Sequence, residues 1–520
     1  MKVQFRLAPL GMALALAGCA VGPDYLPASL AVPAFFASSA TKTSAPAGRW
    51  SGVDLGQWWR SFRDPELNAL IARAVAANPD IEIALTRLEE ARTIVLAAIG
   101  AALPTGEGSA SKGVGTGSDV TRSRVTQSLH SAADTTGFQR ITEVGGVDAG
   151  WDLDIFGKHR REIEASQDDA EAAADDREGV LISVVADVAR AYLDMRALQA
   201  RLAVAQRNIE VARRNLDLVQ TRAKQGITND LDVTLAKREL ASDEATIRPL
   251  EAQISTSQYV LAVLLGVYPQ DLVKELAPPR PIPAFPSRIA VGTPIDLLHR
   301  RPDILESERR LAAATARIGV ATADLYPRLA ITGAAGAEGG PIAPKGMPLT
   351  LIGAAGPVFY WPLLDFGTLD AEVDVADLVT REREAAYKQT VLKAVAQVDE
   401  AVVSFRAQEA RLRDLDRAVA AGKQAQSLAG ERYDRGLTDF LNVLDAERQE
   451  YDLEDQYVVA QQAAGERLVD LYKALGGGWQ AFQEVPPIRQ PQPAIEAQVT
   501  RALAPKNIHD YLKTEQPLAK

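Results

Sequence analysis

Between Phe156-Gly157 and Gly226 the chain runs for about 67 residues with no proline and one glycine, Gly179. Apolar residues recur there every seventh position: Leu181, Val188, Met195, Leu202, Ile209, Leu216 and Ala223. A second row lies three residues on: Val184, Ala191, Leu198, Ala205, Ala212 and Val219. Such a seam, held over about six heptads, is the pattern of a helix packed lengthwise against coiled-coil neighbours. At 1.5 Å per residue the segment makes a rod of roughly 100 Å. No compact domain needs a helix of that length, and the small residues of the second row admit close helix approach.

The pattern occurs twice. Phe156-Gly157 returns as Phe366-Gly367, Gly226 as Gly436, and Leu265-Gly266 as Leu475-Gly476, about 210 residues on in each case. Val391, Val398, Phe405, Leu412, Val419 and Tyr433 repeat the seam, with Gln426 its polar exception. The chain is a tandem duplication of a unit built on one very long helix, so its 520 residues describe one elongated object rather than several domains. A net charge of -11 argues against nucleic acid as a partner.

Residues 1–18 read as a signal peptide: Lys2 and Arg6, then an apolar run from Leu7 to Ala17 too short to span a bilayer. The run ends in Leu16-Ala17-Gly18-Cys19, which resembles a bacterial lipobox. That resemblance implies cleavage before Cys19, leaving it diacylated and N-acylated. The alternative is a plain secretory signal that contains a cysteine. Ala20 after it, rather than aspartate, favours the outer membrane. Cys19 is the only cysteine, so intrachain disulfides and thiolate zinc sites are excluded, and no cofactor is expected beyond the lipid.

Residues 19–60 form a Pro- and Ala-rich arm over the surface. The first repeat spans 61–277, and the Trp58 to Leu67 stretch leads into it. A helix from about Glu66 to Ala77 breaks at Asn78-Pro79, and a second runs from Asp80, the expected N-cap, to about Leu103. The helical signal then stops, and a hairpin is expected over about 105–155. Near its end Ile141, Val147, Ala149, Trp151 and Leu153 share one side, and Thr142, Asp148, Gly150, Asp152 and Asp154 the other. The two aspartates Asp152 and Asp154 suit a wet lumen better than a catalytic pair. The long helix covers 158–225, and Gly226 closes it in a left-handed cap, with Thr228, Asn229 and Asp230 available to cap the return helix 228–265. Pro249 should kink that helix. A linker, 278–290, leads to the second repeat, 291–479. There Arg301-Pro302-Asp303 restates Asn78-Pro79-Asp80, and a hairpin (about 328–365), long helix (368–435) and return helix (437–475) follow. Residues 480–520 are a Pro-rich tail.

Each repeat supplies two strands, so one chain supplies four. Four strands cannot close a barrel, and an open sheet in lipid leaves edge N–H and C=O groups unpaired at several kcal/mol each. Strands in a membrane therefore require several chains to share one barrel; three copies make about twelve strands. The helices beneath would pool into a hollow tube roughly 100 Å long. The fold class is thus mixed, all-α plus transmembrane β.

With these pieces in place the chain resembles a TolC-type outer-membrane efflux factor of the lipoprotein, NodT-like branch. The resemblance runs from Cys19-Ala20-Val21-Gly22-Pro23-Asp24-Tyr25 to Leu475-Gly476-Gly477. It is carried by Arg300-Arg301-Pro302-Asp303-Ile304, by Trp151-Asp152-Leu153-Asp154-Ile155-Phe156-Gly157 and by the turn from Gly436 to Ala446. It implies a homotrimer in the outer membrane with a 12-stranded barrel and a helical periplasmic barrel, docked to a periplasmic adaptor protein and an inner-membrane pump. In that family the inner end closes like an iris and carries inward-facing aspartates. The matching positions are Asp445 and Asn442 in the second turn and Asp232 in the first. Only Asp445 keeps the carboxylate of the second turn, so one acidic ring is expected, favouring cations; helix capping is the alternative for these residues. Thr438 lacks the basic residue that some relatives use as a gate latch. The turns at Gly226 and Gly436 are where adaptor hairpins would touch, with Arg222 and Arg432 as candidate contacts or solvated charges.

Other signals are discounted. Asp365-Phe366-Gly367 copies a kinase metal motif in letters only, because its partner Phe156-Gly157 marks a strand-to-helix junction. Gly113 to Gly117 lacks the following helix of a phosphate loop. The four histidines, His130, His159, His299 and His509, are far apart in sequence, and no constellation carries an enzyme. The competing function is a lipid-anchored periplasmic coiled-coil scaffold or tether without a pore, but a scaffold has no use for matched hairpins.

Overall fold

The computed structural model describes residues 20–27, 32–37, 54–116, 139–286, 293–339 and 350–482. The signal segment, Cys19 and the chain after 482 lie outside the described residues. A 3-10 segment, Leu55–Phe62, precedes α1 (Pro65–Ala77) and α2 (Pro79–Ala101). Then come β1 (Thr105–Thr116), β2 (Gln139–Leu153) and the long helix α3 (Lys158–Lys224). Four shorter helices follow: α4 (Asp230–Ala245), α5 (Ile247–Leu264), α6 (Pro269–Leu276) and α7 (Pro294–Leu298). The second repeat continues as α8 (Pro302–Ala323), β3 (Arg328–Gly339), β4 (Thr350–Tyr360), the long helix α9 (Thr368–Asp434) and α10 (Phe440–Ala474).

Both long helices have 67 residues, as the heptads require. Every residue of the first seam is buried or half-buried, and Leu181, Val188 and Met195 are fully enclosed. Each such side chain contributes about 1.5–3 kcal/mol on leaving water. Around this stretch one core joins Trp58 of the arm and both repeats, from Phe62, Leu67 and Ile71 of the first to Leu468, Val469 and Tyr472 of the second. Trp58 stacks on Tyr472 at 5.1 Å. The seam exception has a cause: the Gln426 amide hydrogen-bonds the Glu447 carboxylate, so a polar pair replaces an apolar one.

Three local expectations need correction. Asn78, not Asp80, caps α2: its Oδ1 accepts from Asp80 N at 2.9 Å and Ile81 N at 3.2 Å. Pro79 takes the first helical position, which puts the cap one residue earlier. The return helix of the first repeat is two helices broken at Thr246. Pro249 sits in the first turn of α5, where it lacks an N–H to give and its ring would collide with the carbonyl of Ala245, four residues back. Asp154 lies past the end of β2 and accepts from His159 N at 3.1 Å and Arg160 N at 3.0 Å. It caps the open first turn of α3 and does not share the face of Asp152.

The strands form one antiparallel meander, β1-β2-β3-β4. Trp151 lies opposite Ile331 and Val147 opposite Ala335, while Leu329 faces Phe359 and Ala337 faces Leu351. One face of the sheet is therefore apolar, and Val147, Ile331, Phe359 and Leu351 on it are exposed. Glu107, opposite Asp148, marks the polar face. β1 and β4 are edges without a partner strand among the described residues. Among the described residues no helix is long and apolar enough to cross a membrane.

Candidate functional site

Two regions concentrate the sequence-derived candidates: the paired helix turns at one end of the rod, and the sheet at the other. At the first turn α3 ends at Lys224, and Gly226 adopts φ +72°. Ile227 N donates to Arg222 O at 2.9 Å and Gly226 N to Ala223 O at 3.0 Å. The second turn repeats it: Gly436 at φ +72°, Leu437 N to Arg432 O at 2.8 Å and Gly436 N to Tyr433 O at 2.9 Å. Both are Schellman caps, which satisfy the last carbonyls and need glycine at the left-handed position.

The candidate residues separate into distinct environments. Arg222 is half-buried and turned onto the second repeat. Its guanidinium lies 4.5 Å from the centre of the Tyr433 ring, donates to Tyr433 O at 3.3 Å and pairs with Asp434 at 2.9 Å. It joins the two turns. Arg432 is exposed and makes no ion pair among the described residues. Asp445 is exposed, five residues into α10, and its carboxylate accepts from Gln449 Nε2 at 2.8 Å; it caps no helix. Asn442 is exposed and donates to Thr438 Oγ1 at 2.8 Å. Asp232 accepts from the Thr228 hydroxyl, while the cap of α4 is Asn229, whose Oδ1 accepts from Asp232 N at 3.1 Å. The capping role once open to Asp232 thus belongs to its neighbour.

Behind the turns a small core, Val219, Ala236, Tyr433, Phe440, Val443 and Leu444, joins the repeats. Above it a ladder of polar contacts crosses from one repeat to the other. Its rungs are Asn215 to Glu447 at 2.6 Å, Glu239 to Arg448 at 2.7 Å, Arg207 to Glu454 at 3.2 Å and Arg201 to Asp455 at 2.7 Å. Burial pushes the Glu447 carboxyl above its ordinary range, against the hydrogen bonds from Asn215 and Gln426. Asp243 beside this ladder rises to about 6, by burial first and the Glu239 charge second.

Heptad reasoning missed one feature of the turns. Ile227, Leu231, Leu437 and Leu441 are all more than half exposed, at matching places in the two repeats. The repeated letters Gly-Ile-Thr and Gly-Leu-Thr carried this signal, since an apolar residue directly after a capping glycine lies outside the buried seam.

A chain with an unclosed four-stranded meander, apolar on one face, above two 67-residue helices has the architecture of an outer-membrane channel protomer. A family profile described as "Outer membrane efflux protein" matches residues 70–267 and 294–477, and the chain belongs to that family. Nodulation protein T of Rhizobium leguminosarum bv. trifolii is 30% identical over 442 residues, 84% of this chain and 89% of that protein. The pyoverdine export outer membrane protein OpmQ of Pseudomonas putida is 30% identical over 435 residues, 82% of this chain and 88% of that one. Among solved structures, the outer-membrane channel OprN superposes with a TM-score of 0.77 at 33% identity, covering 89% of this chain and 100% of that one. The open state of the Neisseria gonorrhoeae MtrE outer membrane channel gives 0.73 at 26% identity, over 89% and 99%. The chain is an efflux channel of the outer membrane with a TolC-like, mostly helical fold.

Proposed function

We propose that three copies share one 12-stranded barrel and pool their helices into a hollow periplasmic tube, a passive conduit that an adaptor and an inner-membrane pump load from below. One observation carries the reading: two unpaired edge strands, 12 and 11 residues long, flank a sheet whose apolar face is exposed. In lipid each unpaired backbone group costs several kcal/mol, and only neighbouring copies with the same edges can remove that cost. Asp445 supplies one carboxylate per copy to an acidic ring at the entrance, with Asn442 and Asp232 beside it. The turns at Gly226 and Gly436 meet the adaptor through exposed Ile227, Leu231, Leu437 and Leu441, with Arg432 as the available charge; Arg222 supports the turn from within. Cys19 carries the lipid anchor.

Native mass spectrometry in detergent together with planar-bilayer recording tests this. A trimer with stable conductance is expected. A monomer without conductance would favour the tether that has no pore.

A further inference from the structure

The junction where α10 ends and α8 begins holds a cavity of about 470 Å³, a size that suits a small ligand. Arg467, Asp470 and Lys473 of α10, Arg190 of α3, Arg301 and Asp303 at the start of α8 and Glu400 of α9 line it. Its four cations are unequally used. Arg190 is spent on Asp470 and Asp187, and Arg301 on Asp303, Gln397 and Ala474 O. Arg467 gives one nitrogen, Nη1, to Asp470 at 2.9 Å. Lys473 is half-buried and makes no ion pair among the described residues. Burial, opposed by the charges of Asp187 and Asp470, holds its ammonium below the ordinary lysine range.

The fold does not require these charges. At the matching junction of the first repeat Asn78 Nδ2 donates to Leu264 O at 2.8 Å, as Arg301 Nη1 donates to Ala474 O at 2.9 Å. Leu265-Gly266 answers Leu475-Gly476, so Ser257, Val260 and Val263 stand where the second repeat has Arg467, Asp470 and Lys473. An amide and apolar side chains close the first junction, and the charges of the second serve something other than closure.

The cavity opens away from the N-terminal arm. The arm lies on one face of α8, where Tyr25 donates to Glu308 at 3.1 Å and Gly22 touches Gly319. On α9 it meets Asp399, which accepts from Ala37 N at 3.3 Å. Asp303 is five residues from Glu308, and Gln397 and Ser404 are two and five residues from Asp399; all three line the cavity. Steps of two and five residues turn a helix by about 140–160°, so arm and cavity take opposite sides of the wall. With the arm outside the tube, the cavity faces the passage. We propose that it is an anion-binding station on the passage wall, one per copy. Lys473 and Arg467 take the carboxylate or phosphate groups of cargo, while Arg190 and Arg301 supply a fixed positive field. The proposal rests on the channel reading above and adds the charge class of the cargo. Lys473 lies about 42 Å of helix beyond Asp445. An anion driven past the acidic entrance is held there, and the ring behind it opposes return.

Citrate is the probe. In equilibrium dialysis of the purified channel with radiolabelled citrate, about one citrate should bind per chain. Binding should weaken about tenfold in Lys473→Gln, the scale of one lost charge-assisted contact, and stay close to wild type in Lys473→Arg. Glu400→Gln removes a lining carboxylate that makes no ion pair among the described residues. It should bind citrate more tightly, a gain that misfolding cannot produce. In planar bilayers at constant ionic strength, citrate in both chambers should block wild-type current at concentrations that leave Lys473→Gln conducting. Citrate bound equally by wild type and Lys473→Gln, or not bound at all, overturns the site. Binding without block overturns its place on the passage wall, and either result leaves the channel reading intact. A wild-type protein that carries no current overturns the channel reading itself, while dialysis still decides the site.

Discussion

The start of the extended arm after Cys19 is gripped by one buried side chain, while Tyr25 and Phe36 hold it further on. Arg161, 5% exposed, donates to Val21 O and Gly22 O, both at 3.2 Å, and to Asp24 at 2.7 Å. The groove is closed by Gly319, where a Cβ would lie 2.8 Å from Val21 O, and by Gly157, where it would lie 2.7 Å from the Ala20 Cα. Replacing Arg161 with Ala removes two bonds from a buried charged donor, worth about 1.5–3 kcal/mol each before allowance for water re-solvating the released carbonyls. The Asp24 pair adds little, because that carboxylate is 85% exposed. A net loss of roughly 3 kcal/mol corresponds to a shift of about a hundredfold in the docking equilibrium. Val21 N, which donates to Phe156 O at 3.0 Å, is the reporter. Its hydrogen exchange in purified protein should accelerate about a hundredfold in Arg161→Ala and comparably in Gly319→Ala, while amides of α9 stay unchanged. If Val21 remains protected to within threefold of wild type in both variants, the arm is held by something else and the reasoning fails.

Asp445→Asn should reduce the cation preference of single channels, measured as reversal potential under a salt gradient, while leaving thermal stability within about 0.5 kcal/mol because the side chain is exposed and its bond is to Gln449, one helical turn on. Acid should stabilise the folded chain. Burial raises Asp168 and Asp175 to about 6 and Glu178 to about 7, above their unfolded values near 4. The folded state therefore holds protons that the unfolded chain has released, and stability falls as pH rises through roughly 4 to 7. The melting temperature should climb between pH 7.5 and 5, and Asp175→Asn with Glu178→Gln should flatten that slope. Cys19→Ser should abolish the acyl mass on the N-terminal peptide while the protein, still rooted by its barrel, stays in the membrane fraction after washing.

The long helices were legible almost to the residue, Lys158–Lys224 against an expected 158–225, because heptads bracketed by capping glycines combine a period with two stops. Pro249 announced a kink but not its place, since the ring acts on a carbonyl four residues back and the break fell at Thr246. Asn78 and Asp80 both have the chemistry of a cap; the intervening proline decides between them, and it is at N1. Alternation put Asp154 in the lumen because a period of two carries no sign of where a strand ends, and the first turn of α3 claimed the carboxylate. Arg222 illustrates the harder limit. A basic residue in a last helical turn reads as a solvated charge or a partner contact, and only the arrival of Tyr433, 211 residues later, makes it a bridge. Contacts of that kind leave no periodic trace along a single segment. Duplication restores part of the information: α3 returns as α9 after 210 residues and β1 as β3 after 223, so a contact within one repeat names its image in the other. The Trp151 indole, which donates to Ala102 O at 3.1 Å, thus names its image, the Trp361 indole on Leu325 O at 3.3 Å.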